Sequence, residues 1–525
     1  MQFGLRMSGG EHAVCVVAGF LRDMVSYKNI CNISSVIALR YCIDCCWGGL
    51  FMEQNRSIVR LTIVIVMITS FITPFMSNAI NLGIPQIGLE FGVDQYRLNW
   101  VVTSYLLATA AFLLPFGRLA DIVGRKKVFL TGMFLFTLTS LGRGLAYSFP
   151  VLITFRVLQG VASAMIFGTS LAILTAVVPT KERGKAIGLS AASTYIGLSV
   201  GPVLGGIICS TVSWRGIFYF NFIIALAVLS VTLAKLSGEW IGADDEQFDT
   251  WGSILWIPGI VLFLYGLSDI AGFRNMVAFI LGLLLLITFV VYENKISHPL
   301  LPMRMLTNNR SFAFSNLAAL INYSATFALV YLMSLYLQYV QKIGTTLSGL
   351  ILLSQPIIMA VLSPIAGRLS DRINSQILAS SGMGITTFGL FCFIFLNEKT
   401  SILFIMINLA IIGLGFALFS SPNTNAVMSS VERTLYGVAS STLGTMRLLG
   451  QTLSMTIVAL ITSFNMKNLT LDSANYISSF LKGSRTSFIV FTILCFIGSF
   501  ASLARGGKYE FLHQGKVLKG EQERE

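Results

Sequence analysis

The chain is 525 residues long and carries a formal net charge of +13, yet only 11% of its residues are charged and 55% are hydrophobic. A water-soluble globule usually carries about a quarter charged residues to coat its surface, so this composition excludes a soluble protein and makes lipid the solvent. The basic excess does not indicate nucleic acid, because it gathers in short loops between long apolar stretches.

Residues 1–51 stand apart. They are mixed in polarity, lack an apolar run long enough to span a bilayer, and contain Cys15, Cys31, Cys42, Cys45 and Cys46 of the eight cysteines. Cys42-x-x-Cys45-Cys46 has no second ligand cluster after it, and the chain has three histidines, so a zinc site is not expected. Met52-Glu53-Gln54-Asn55-Arg56 looks like a cytoplasmic start. Residues 1–51 therefore read either as an over-extended reading frame or as a cytoplasmic extension, and no cleavable signal peptide is visible.

A spanning helix needs about 20 mostly apolar residues to cross about 30 Å of hydrocarbon. Charge-poor stretches predict fourteen such helices, near 61–83, 98–117, 128–148, 150–178, 186–210, 216–235, 251–271, 275–292, 311–338, 346–367, 377–396, 401–429, 436–463 and 486–504. Residues 61–89, 186–214, 311–341 and 400–431 contain no Asp, Glu, Lys or Arg. Basic residues crowd the alternate loops, at Arg118 and Arg125–Lys127, at Lys181–Lys185, and after Arg505. The positive-inside rule then places both termini in the cytoplasm, in the cell membrane.

The sequence also repeats. Pro115-x-Gly117-Arg118-Leu119-Ala120-Asp121 returns in the second half as Pro364-x-x-Gly367-Arg368-Leu369-Ser370-Asp371. Glu182-Arg183 returns as Glu432-Arg433 in the same register. Duplication is the simplest source. The expected fold is all-α and polytopic: a six-helix bundle in 52–238, a linker with two inserted helices in 239–300, a second six-helix bundle in 301–505, and a cytoplasmic tail, 506–525. Repeated helical halves are how many transporters build two bundles that rock about a midplane site.

Gly117-Arg118-Leu119-Ala120-Asp121-Ile122-Val123-Gly124-Arg125-Lys126-Lys127 resembles the cytoplasmic signature of the major facilitator superfamily. Gly117 and Gly124 permit tight turning and close helix approach. Asp121 can pair with Arg125 or sit at a helix N-terminus; the resemblance implies the thirteenth span, a latch closing the cytoplasmic side. The second copy lacks the trailing Gly-Arg-Lys and reads as a degenerate latch. Leu152-Ile153-Thr154-Phe155-Arg156-Val157-Leu158-Gln159-Gly160 resembles the family's fourth-helix motif, which implies a role for Arg156 in proton coupling. Arg143, with no family pattern behind it, reads as a residue of the membrane boundary. Gly197, Gly201, Pro202, Gly205 and Gly206 on the fifth span resemble the exporter signature; the glycine face suits close packing and Pro202 bends the helix. Leu98-Asn99-Trp100-Val101-Val102-Thr103-Ser104-Tyr105, Trp214-Arg215 and Ser421-Pro422-Asn423-Thr424-Asn425 resemble the fourteen-helix drug:proton antiporter branch. The resemblance covers residues 58–505. It implies multidrug efflux by antiport, with a small-molecule substrate, protons as coupling ion and a monomer as the working unit.

Arg447 is expected about 16 Å deep, near mid-bilayer. It reads either as a substrate-anion contact or as a structural donor to a partner such as a backbone carbonyl. Asn316, Asn322, Tyr323, Tyr331, Gln338, Gln355, Asn423 and Asn425 are cavity candidates, with hydrogen-bonded glue between helices as the alternative. The branch commonly carries a carboxylate inside the membrane, and here the first span has none. Asp269 and Glu293 come nearest and read as boundary residues. No Walker-type loop, metal-ligand cluster or nucleophile motif is visible, so no cofactor, metal or enzyme activity is expected. The expected function is export of small amphipathic molecules; the alternatives are an uptake carrier for a defined, even anionic, solute and a non-transporting membrane sensor.

Overall fold

The computed structural model describes the backbone of residues 33–505 apart from 94, 99, 244–245, 268–271 and 466–475. Side chains are described for 56–505, with 85, 95–96, 345–346, 463, 465 and 476 also excepted. The expectations for the leader, for Asn99, for Asp269 and for the tail lie outside these side chains. The chain divides into two units, Met1–Ile58 and Val59–Glu525, and the second holds both halves of the repeat.

Among the described residues there is helix and loop but no strand. Lipid offers backbone N–H and C=O groups no partner, so each apolar run must satisfy them internally as helix. In chain order the helices of the first half are α1 (Ile33–Phe91), α2 (Trp100–Val123), α3 (Arg125–Gly144), α4 (Phe149–Val177), α5 (Arg183–Thr211) and α6 (Trp214–Lys235). A hairpin follows, α7 (Thr250–Leu267) and α8 (Phe273–Glu293). The second half contains α9 (Arg310–Thr326), α10 (Leu329–Leu335), α11 (Thr345–Leu352), α12 (Ser354–Ser370), α13 (Ser375–Cys392), α14 (Ile402–Ser429), α15 (Tyr436–Asn465) and α16 (Tyr476–Leu503).

Thirteen helices among the described residues are long and apolar enough to cross a membrane. The expected third span is the exception. It forms as α3, but Arg125, Lys126 and Lys127 begin it and Arg143 stands in its last turn, leaving too short an apolar middle. The expected ninth span is interrupted at Phe327–Ala328, where the Ala328 N–H donates to Ser454 Oγ of α15 (3.0 Å). It ends in a π-turn, Tyr336–Val340. The last helix starts at Tyr476, earlier than expected, because exposed Lys482 and Arg485 ride on it without ending it.

Within the first half α4 packs on α2 and α3, and α3 on α6. Within the second, α13 packs on α14 and α16, α12 on α14, and α9 on α15 and α16. The halves meet where α5 lies along α12 and where α15 lies along α2 and α4. The hairpin helices pack on each other, and α7 also rests on α2. Between α6 and α7 an irregular strap crosses the α2–α3 turn. Trp240 O accepts from Arg125 N (3.1 Å), and Gly242 N and Ala243 N both donate to Asp121 O (2.9 Å). Glu239 accepts from Lys126 N (2.7 Å) and Lys127 N (3.2 Å).

Candidate functional site

The halves are joined most specifically at the end that carries the basic α2–α3 turn. Asp121, fully buried, receives two bonds from Arg125, on Nε (2.8 Å) and Nη2 (2.7 Å). It also accepts the N–H groups of Gly437 (2.9 Å) and Val438 (3.0 Å) at the start of α15. An exposed helix N-terminus carries unpaired donors and partial positive charge, so a carboxylate there satisfies both. Arg125 reaches across as well, donating to Arg433 O (2.5 Å) and lying over the Tyr436 ring. Gly124, at φ +122°, makes the turn that brings Arg125 back onto Asp121. Arg118 is buried and pairs with Glu246 of the strap. Gly117 faces Ser441 and the Gly437 carbonyl so closely that a Cβ would collide with both.

The second copy repeats this geometry instead of being degenerate. Asp371 accepts from Gly184 N (2.7 Å) and Lys185 N (3.0 Å) at the start of α5. Gly367 faces the Gly184 carbonyl as Gly117 faces that of Gly437. Burial pushes the Asp371 carboxyl above its usual range, against the pull of the two N–H donors. The missing Gly-Arg-Lys removes the arginine clamp, not the helix cap.

The glycines of the fifth-span motif turn mainly inward. Positions 197, 201 and 205 lie against Phe71, Phe75, Asn78 and Ala79 of α1, Gly206 approaches Leu82, and Pro202 is exposed. The approach to the other half is made about two and a half and three and a half turns before Gly197, by Gly188 against Ser363 and Pro364 and by Gly184 against Gly367.

Arg156 is buried, donating to Val101 O (2.5 Å) and Gln159 Oε1 (3.2 Å) beside the Tyr105 ring. It does not reach the bundle surface. Arg143 stands in the last turn of α3, as expected, but its side chain turns inward and not toward the headgroups. It is fully buried, donates to Thr139 O and Ser140 Oγ, and lies 4.3 Å from the Phe218 ring centroid. The rotation of α3 against α4 and α6, which sequence does not encode locally, turns it inward.

Deeper between the halves sits an aromatic cluster. Tyr195 of α5 and Tyr323 of α9 each meet the Phe416 ring of α14 edge-on, at centroid distances of 6.2 Å and 5.3 Å. The half-buried Arg447 guanidinium stands 5.8 Å from the Tyr323 centroid and donates from Nη2 to Thr424 Oγ1 (2.5 Å). Its Nε has no partner, and none of the ion pairs among the described residues includes it. Asn322 is fully buried with neither amide atom hydrogen-bonded. Asn423 ties α14 to α9 through Ser315 O (3.2 Å), leaving its Oδ1 free. Tyr331 is 46% exposed, and no hydrogen bond or ring contact among the described residues joins it to Arg447. Tyr195 and Phe416 escaped the sequence reading, since aromatic residues in apolar runs carry no signal of which way they face.

Glu293 is the last residue of α8, at the expected boundary, but it is buried there. It is 2% exposed, and its Oε1 lies beside Asp249 Oδ2: a Cβ on Gly252 would collide with both oxygens. Asp249, 5% exposed, heads α7 as a helix cap, a role that an aspartate just before an apolar run signals.

A sequence profile described as the Major Facilitator Superfamily matches residues 66–455. The chain is 29% identical over 444 residues to the riboflavin transporter RibZ of Clostridioides difficile, spanning 83% of this chain and 95% of that protein. It is 31% identical over 385 residues to the multidrug resistance protein Stp of Mycobacterium tuberculosis, spanning 72% of this chain and 71% of that one. Its architecture is similar to the solved structure of the human organic anion transporter MFSD10, with TM-score 0.60 and 12% identity over 86% of this chain and 99% of that one. A profile covering most of the helical region, two curated relatives aligned over most of their length and a shared helical fold converge: the chain belongs to the Major Facilitator Superfamily of transporters.

Proposed function

We propose that the protein exports small amphipathic molecules by alternating access, as a fourteen-helix drug:proton antiporter held here with its cytoplasmic end closed. The observation that carries this reading is the reciprocal pair of caps: Asp121 on the start of α15 and Asp371 on the start of α5. Each half places a carboxylate on a helix of the other, at the same end, with glycine contacts beside it. Two six-helix bundles fastened in this way open by breaking both caps, which makes the contact a gate. On this reading α3 is the fourteenth span, supported by its packing on α4 and α6, and α7–α8 is an insert. The basic turns at the capped end support a cytoplasmic assignment. Export of drugs accords with the name of the mycobacterial relative.

A second reading is favoured by Arg447. A half-buried guanidinium without an acidic partner, beside aromatic rings, suits an anionic or polar heteroaromatic solute. The clostridial relative's name, a riboflavin transporter, accords with a solute of defined structure.

The test is dye and drug accumulation in cells expressing the chain, with and without a protonophore. Export predicts lowered accumulation that the protonophore restores. Raised accumulation of one solute class, with no effect on drugs, would favour the second reading.

A further inference from the structure

Asp249 and Glu293 form a buried acid pair at the base of the hairpin, and three of their four carboxyl oxygens accept bonds from N–H or O–H donors. Asp249 Oδ1 accepts from Gly252 N (2.8 Å) and Tyr292 OH (3.4 Å). Glu293 Oε1 accepts from Leu300 N (3.3 Å) and Oε2 from Leu301 N (3.0 Å). The fourth, Asp249 Oδ2, is buried without a donor and sits beside Glu293 Oε1. Two ionised carboxylates in such contact repel strongly, and a single shared proton removes the conflict. Oδ2 is the one oxygen of the four with no other bond, which leaves room for a proton between it and Glu293 Oε1.

Among the described residues no cation forms an ion pair with either carboxylate. Arg118 of α2 and His298 of the loop after α8 both turn to Glu246 of the strap. Glu239 is occupied by the α2–α3 turn. Lys295 and Arg304 are exposed, and neither forms an ion pair with Asp249 or Glu293 among the described residues. From α8 the remaining facing group is the Tyr292 hydroxyl; α7 contributes no charged side chain. Asp244 and Asp245 lie outside the described residues.

The pair sits at the end of the strap. Gly242 and Ala243 bond the carbonyl of Asp121, Glu246 holds Arg118, and Asp249 follows directly before α7. We infer that Asp249 and Glu293 share one exchangeable proton and act as a pH-sensitive lock that holds the strap on the Asp121 gate. With the proton in place, Asp249 Oδ2 and Glu293 Oε1 share a hydrogen bond that ties the start of α7 to the end of α8. Losing it to water leaves two adjacent negative charges, which drive the hairpin base apart and pull the strap. The sign follows: the closed gate binds the proton, so it gains stability as pH falls and loses it as pH rises. The switch rests on reading the Asp121 contact as a gate; the shared proton does not.

Infrared spectra of the purified chain in detergent, taken in light and heavy water at neutral pH, test the proton directly. The wild type should show an exchangeable carboxylic-acid band that both Asp249→Asn and Glu293→Gln abolish. A wild type without that band, or a band surviving in both variants, would overturn the shared proton. If Asp249→Asn misfolds through loss of the α7 cap, Glu293→Gln alone decides. The switch is read from the alkylation rate of a Ser441→Cys thiol, buried at the gate, in a background without the native cysteines. Rates are normalised to denatured protein at each pH. The rate should rise severalfold from mildly acidic to mildly alkaline pH and become flat in Glu293→Gln. The same slope in Glu293→Gln as in the parent would refute the switch. Asp121→Asn distinguishes the two failures, since it should keep the infrared band and lose the slope.

Discussion

At the scale of single residues, the gate is a matter of saturated acceptors. Asp121 takes two bonds from Arg125 and two from α15 while fully buried. Removing its charge leaves Arg125 buried without its partner, which costs about 3 kcal/mol, on the order of a hundredfold in the closed-to-open ratio. Asp121→Asn should therefore insert normally yet export poorly; unchanged efflux at equal expression would count against the gate. Asp371 lacks the arginine, so Asp371→Asn should cost less, about 1–2 kcal/mol, and reduce efflux more mildly in the same assay. Arg447→Ala should alter the substrate range, with Arg447→Lys retaining part of it. A broad efflux panel and a melting curve that are both unaltered would remove Arg447 from the site.

At the scale of elements, closeness between helices depends on missing side chains. Gly117 and Gly367 each face a carbonyl of the opposite half at a distance no Cβ tolerates. Gly117→Ala should overpack the closed gate by about 1–3 kcal/mol, visible as faster alkylation of Ser441→Cys; a slower or equal rate would contradict the close approach. The helices were largely legible in the sequence because spanning segments must be apolar over about 20 residues. Failures came where apolarity alone does not decide. The charges at both ends of α3 shorten its apolar run without preventing the helix. The break before Leu329 depends on a hydroxyl of α15, far away in sequence. The repeat of Gly-Arg-Leu-x-Asp marked both aspartates, but the missing Gly-Arg-Lys made the second copy read as degenerate, and only three-dimensional packing reveals its cap. The inward turn of Arg143, the Tyr195–Phe416–Tyr323 cluster and the Asp249–Glu293 contact all depend on helix rotation or hairpin closure. A local pattern does not carry that information.

At the scale of the whole molecule, the contacts between the halves described at the gate lie at the end with the basic turns: two caps, the Arg125 bond to Arg433 O, and the close approaches of Gly117, Gly184, Gly188 and Gly367, with the strap bonded across the α2–α3 turn beside them. This arrangement has a mechanical consequence, since the halves can part there only if both caps release together. Spin labels on Lys185 and Arg372, both exposed beside the Asp371 cap, report that parting in the purified, lipid-reconstituted chain. Pulsed electron resonance should show a short distance matching the closed gate and a second, longer population that grows in Asp121→Asn. One unchanging distance, in the wild type and in Asp121→Asn alike, would contradict alternating access.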